Sequence, residues 1–137
     1  MALECQNLSG VESAHMKSVD RVEFITHKGK QVLLIDFTDC TPEEVKSVTD
    51  EAEQIITAQP RNSVLAVADF SGAQFNRDAV TRVKVVTTHD RPFVKRAAWV
   101  HAQNLPKVFY DSIKRFSQRE FPTFKTREEA LEFVVKD

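Results

Sequence analysis

The chain has 137 residues, 42% of them hydrophobic and 28% charged, which is the size and balance of one soluble domain able to bury a core without a disulfide or metal. No apolar run approaches the ~20 residues of a membrane span, no apolar signal stretch opens the chain, and Cys5 and Cys40 make neither a CxxC motif nor a disulfide framework, so the expected setting is the cytoplasm with both thiols reduced. The net charge of -1 conceals five Lys/Arg against eleven Asp/Glu over residues 1–60 and fourteen against nine over 61–137. Such asymmetry fits an anionic partner, a homo-oligomer (in the simplest form a dimer) with attracting surfaces, or helices that merely carry different solvated faces.

Residues 1–19 are polar and aperiodic and read as an N-terminal arm; the folded domain then spans 20–137. In RVEFIT the residues Arg21, Val22, Glu23 and Phe24 alternate polar and apolar, the pattern of a half-exposed strand. HKGK follows, with Gly29 able to take positive φ, and QVLLIDF at 31–37 completes a hairpin. Val32, Leu33, Leu34 and Ile35 do not alternate, and neither do SVLAVADF at 63–70 or AAWV at 97–100. Unbroken apolar runs of this length suit strands covered on both faces.

The clearest helix is 42–58. Thr41 and Glu44 make a Thr-x-x-Glu capping box, Pro42 suits the first turn, and Val45, Val48, Ala52, Ile55 and Ile56 share a face. Residues 77–89 are β-branched, and propensity alone allows a strand. A crossover between two buried parallel strands needs a helix, however, and Asn76 can cap one. A helix at 106–118 follows from Pro106 and the spacing of Leu105, Phe109, Ile113 and Phe116. EFPTFK at 120–125 reads as a short strand, placed at an edge because Pro122 has no N–H to donate. Thr126 and Glu129 open a last helix carrying Ala130, Leu131 and Val134. The predicted fold is therefore α/β: a single domain with a mixed, mostly parallel sheet of about five strands, an N-terminal antiparallel hairpin and four helices.

Asp69-Phe70-Ser71-Gly72-Ala73-Gln74-Phe75, between a buried strand and a helix, resembles the Asp-Leu-Ser-x-x-x-Phe stretch of STAS domains, the anti-sigma-factor antagonist family. HKGKQVLLIDF, PEEV and RPFVKRAAWV are similar to a branch of small bacterial SpoIIAA-like proteins described as STAS/SEC14-like. The resemblance covers about residues 20–137. It implies a β-α superhelical fold and two kinds of activity: a protein-binding switch, or, by likeness to CRAL-TRIO lipid-transfer domains, an apolar-ligand carrier. Fold alone does not choose between them. In the switch members Asp-Ser-Ser-Gly follows the Phe, and its second serine is phosphorylated. Here Asn76, Arg77, Asp78 and Ala79 follow Phe75, so an alanine stands at the phosphoacceptor position.

Ligands of open α/β sheets bind beyond the carboxyl ends of the parallel strands. The polar residues expected there are Asp39, Asp69, Ser71, Gly72, His101 and Asn104, joined by Asn76 and Asp78 from the following loop and helix. Against a binding role, Ser71, Asn76 and Asn104 are also ordinary turn and cap residues, and His101 has no nucleophile or carboxylate partner in the sequence. Arg82, Lys84, Lys107, Lys114 and Arg115 make a candidate basic face. No exposed aromatics interleave the basic stretch Arg82, Lys84, Arg91, Lys95 and Arg96 in the way that stacks bases, so no nucleic-acid partner is expected. The histidines lack metal spacing, there is no GxGxxG and no P-loop, and no metal or cofactor is expected. Ten phenylalanines point to core, to a dimer face, or to an apolar pocket between the sheet and the helices at 77–89 and 106–118. Two readings follow: a non-enzymatic module that binds a protein partner or itself, and a carrier or sensor of a small apolar or anionic ligand.

Overall fold

The computed structural model describes residues 21–119 and 121–136, with Asn104 described by its backbone alone. The expected arm at 1–19 lies outside the described residues. Strands β1 (Val22–His27) and β2 (Lys30–Asp36) pair as an antiparallel hairpin. Its two-residue turn, Lys28 and Gly29, has φ of 51° and 81°. Two successive positive φ values give the type I′ turn, whose twist matches that of the strands.

Three crossovers follow. Helix α1 (Pro42–Thr57) leads to β3 (Val64–Asp69), α2 (Arg77–His89) to β4 (Val94–Val100), and α3 (Lys107–Ser117) to β5 (Thr123–Phe124). The sheet order is β1-β2-β3-β4-β5, parallel from β2 onward. Each crossover advances one strand in the same direction, so right-handed connection puts all three helices on one face. The last helix, α4 (Arg127–Val134), packs against β3 and β4 from the other face.

Two cores result. The larger holds Leu33, Ile35, Phe70 and Trp99 from the strands and their ends against Val45, Val48, Val83 and Ile113 of the helices. The smaller packs Val32, Leu34, Val67 and Val100 against Ala130 and Val134. The unbroken run Val32–Ile35 is thereby explained, since its alternate side chains serve opposite cores.

The helix starts form as their residues require. Thr41 N–H donates to Glu44 Oε1 at 2.9 Å, and Glu44 N–H donates to Thr41 Oγ1 at 3.2 Å. Asn76 Oδ1 accepts from Ala79 N–H at 2.8 Å, and Thr126 Oγ1 from Glu129 N–H at 3.1 Å. Burial of Ala79, Val80, Val83 and Val86 holds α2 helical against its β-branched composition. Two expectations need correction. The strand predicted over 120–125 is only Thr123–Phe124; it is an edge strand, and Pro122 contributes its carbonyl to Trp99 N–H at 2.8 Å. Phe116 was expected on the buried stripe of α3 but is 54% exposed. Three residues on from Ile113 it has rotated off the core side, and its ring lies under Lys84 of α2.

Candidate functional site

Strands β2 and β3 run in register, so Asp36 lies beside Asp69 at their carboxyl ends. Neighbouring carboxylates repel unless a shared cation offsets them. Arg127, in the first turn of α4, reaches both: Nε donates to Asp69 Oδ2 at 2.6 Å, and Nη2 lies 3.1 Å from Asp36 Oδ1. The Ser71 hydroxyl and N–H donate to Asp69 Oδ1 at 2.6 and 3.0 Å. Thr38 N–H donates to Asp36 Oδ1 at 2.9 Å. Burial by itself pushes the Asp69 carboxyl up, but the Ser71 hydroxyl and the Arg127 guanidinium hold it below the usual aspartate value. Arg21 closes the same corner, donating from Nη1 to the carbonyls of Asp36 and Thr38 at 3.1 and 2.8 Å.

The loops beyond these strands interlock. Asp39 N–H donates to Ser71 O at 2.8 Å, and Gln74 N–H donates to Cys40 O at 2.9 Å. Gly72 has φ of +68°, and a Cβ built on it would lie 2.1 Å from Asp39 Oδ1. Asp39, Asp69, Ser71 and Gly72 thus converge. The bonds made by Asp69 and Ser71 go to the fold itself, which describes a clamp between two strands and α4.

The other candidates lie apart from that cluster or serve local structure. Asn76 caps α2, and exposed Asp78 sits in its first turn, where the helix dipole favours a carboxylate. Ala79, which the STAS resemblance puts at the phosphoacceptor position, is fully buried. His101 follows β4 in the left-handed region at φ 57°, with Nδ1 3.3 Å from Gln103 Nε2. The backbone of Asn104 ends the short turn Ala102–Asn104, and its side chain lies outside the described residues.

Part of the charge asymmetry is answered within the molecule. Arg82 pairs with Asp50 of α1 at 2.9 Å, and His89 Nδ1 lies 3.1 Å from Glu53. Lys107 pairs with Asp111 one turn along α3 at 2.8 Å. Lys84 Nζ stands 5.4 Å from the centre of the Phe116 ring. Lys114 and Arg115 line a surface hollow with Asp111, Gln118 and Arg119. Among these cations Val108 is 68% exposed and Phe116 54%, on a helix whose other face is core.

An apolar cavity of about 60 Å³ lies inside, lined by Phe37, Phe70, Trp99 and Phe121. It sits beneath α1 and α2, not beneath the helices at 77–89 and 106–118 together: no residue of α3 lines it. Asp90 and Arg119 close one end: Nη1 of Arg119 donates to Asp90 Oδ1 at 2.6 Å and to Thr87 O at 2.8 Å, and its guanidinium stands 4.9 Å from the Phe121 ring. Burial pushes the Asp90 carboxyl up to about 6 against the pull of Arg119.

Arg127, Asp90 and Arg119 were not singled out from the sequence. Arg127 did carry a signal, since a cation in a helix's first turn opposes the dipole and implies a compensating anion. Asp90 and Arg119 carried none, because each is defined by a partner 29 residues away. Among the described residues no helix is long and apolar enough to cross a membrane, and no group of three or more His, Cys, Asp or Glu side chains could hold a metal ion. Compared with protein-family models, with curated proteins and with solved structures, the chain matches none, so its likeness to STAS domains rests on the residues quoted above.

Proposed function

We propose that the chain is a non-enzymatic interaction module of the STAS-like kind, docking an acidic protein partner on the outer face of α2 and α3. The observation that carries this reading is two exposed apolar side chains on α3, Val108 and Phe116, on a helix that also carries Lys107, Lys114 and Arg115, with Lys84 of α2 over the Phe116 ring. Apolar side chains left in water on a helix rich in cations are the makings of an interface. The carboxyl-end cluster argues against catalysis. Asp69 is held in its ionised form by the half-exposed Arg127 guanidinium and the Ser71 hydroxyl, which makes it a weak base, and that hydroxyl spends its proton on the carboxylate.

The carrier reading keeps one favourable observation, the aromatic cavity with Arg119 at its end. At about 60 Å³ it falls well below the ~300 Å³ at which small-molecule sites begin. A ligand there would have to open the Arg119–Asp90 pair first.

The test is native mass spectrometry of the purified chain, then of the same sample denatured, alongside the Val108→Asp/Phe116→Asp double variant. A complex, with a second protein or a second copy, that the double variant loses at unchanged melting temperature is the expected result. A small added mass released only on denaturation would replace this reading with the carrier.

A further inference from the structure

Strand β4 is longer than the neighbour on its outer side. Strand β5 covers only Trp99 and Val100. Trp99 N–H and His101 N–H donate outward, to Pro122 O and Phe124 O. Along a parallel strand, successive residues point their N–H and C=O to alternate sides. The N–H and C=O of Ala97 therefore also face outward, and among the described residues no strand lies there. A register shift at Val64/Leu65 leaves Lys95 as the extra residue of a bulge beside this opening.

A hollow of about 420 Å³ lies at this edge, with Ala97 and Phe133 in its floor and Arg91, Lys95, Arg96 and Arg119 around it. No carboxylate lines it among the described residues. Arg96 donates to the carbonyls of Phe133 and Lys136, and Arg119 to Asp90, so both are held in place. Arg91 and Lys95 have no acidic partner among the described residues. An open strand edge offers main-chain bonds, and four cations choose the sign of what takes them.

The geometry points to the outer edge of β4 as the docking site of an extended acidic segment of the partner protein, which adds a strand beside Val94–Ala98 and sets its carboxylates on Arg91 and Lys95. This rests on the interaction-module reading and extends it. The hollow shares Arg119 with the one beside Lys114 and Arg115, so a strand bound here continues the cationic face of α3. A free anion would use the cations alone; an extended chain also uses the Ala97 main chain.

The probe is an acetylated peptide of three Glu-Val repeats, titrated into the isotopically labelled full chain and followed by amide shifts and hydrogen exchange. The expected result is a shifted Ala97 amide whose exchange slows at least tenfold. Arg91→Glu/Lys95→Glu should weaken binding about tenfold. An unmoved Ala97 amide, equal affinity in the charge-reversed variant, or the same Ala97 protection from inorganic phosphate or an oligothymidylate would each overturn the strand-addition site. Failure here with a partner complex still lost by Val108→Asp/Phe116→Asp removes the strand site alone. Failure of that complex removes the broader reading.

Discussion

At Gly72 two constraints meet on one atom. The backbone is left-handed at φ +68°, and the space a side chain would take belongs to Asp39 Oδ1. Gly72→Ala should therefore cost about 1–3 kcal/mol in urea unfolding. Adding Asp39→Ala should recover only part, because it removes the collision and leaves the strained φ. Two buried carboxylates give stability opposite dependences on pH. Asp90 titrates near 6 in the folded chain against an ordinary 3.8. Its ionisation therefore costs the native state, and its share of stability falls as pH rises from about 4 to 6. Asp69 is held below 3.8, so its share is present above that value and is lost as pH falls beneath it. Urea midpoints across pH 3 to 7 should show both slopes, with Asp90→Asn flattening the upper one and Asp69→Asn the lower. Much of the cluster was legible in residues alone. Asp39, Asp69, Ser71 and Gly72 stand where parallel strands end, and strand ends are marked by apolar runs giving way to turn residues. Asp90 was not legible as a site residue, since its role shows only beside Arg119, and Arg127 announced by its place in a helix's first turn that it needs an anion but not which one.

Among the elements, α2 shows how connection overrides propensity. Its valines and threonines favour a strand, yet the requirement of a crossover between β3 and β4, with Asn76 to cap it, identified the helix. Helix α3 is the opposite case. Its existence was plain from spacing, but which face is core was not: Ile113 and Ser117 are buried, and Phe116, between them in sequence, turns out toward Lys84. Helix α4 is held by charges at both ends of one sheet face. Arg127 reaches Asp36 and Asp69, and Glu132 reaches His27 at 2.8 Å and Lys28 at 2.7 Å. Arg127→Met should leave two adjacent carboxylates uncompensated. The expected cost is about 1–2 kcal/mol, held down by the partial exposure of the guanidinium. Amide exchange in α4 should then quicken while exchange in β3 does not, and equal quickening in both would show that Arg127 braces the whole sheet and not α4 in particular.

Over the whole molecule the sheet is covered unequally. Three helices lie on one face, and a helix of eight residues covers the other. That fold class was legible because apolar runs, caps and a single hairpin all agreed on one arrangement. The side on which each helix packs followed from the handedness of the crossovers, not from any residue pattern. The unequal cover has a consequence for the newly made chain. Everything from β1 to β5 precedes α4 in order of synthesis, so on a translating ribosome Val32, Val67 and Val100 form a greasy sheet face before the helix that covers it, among the described residues, has emerged. For that interval the nascent domain exposes apolar surface of the kind that aggregates, and a chain ended before Thr126 would keep it exposed.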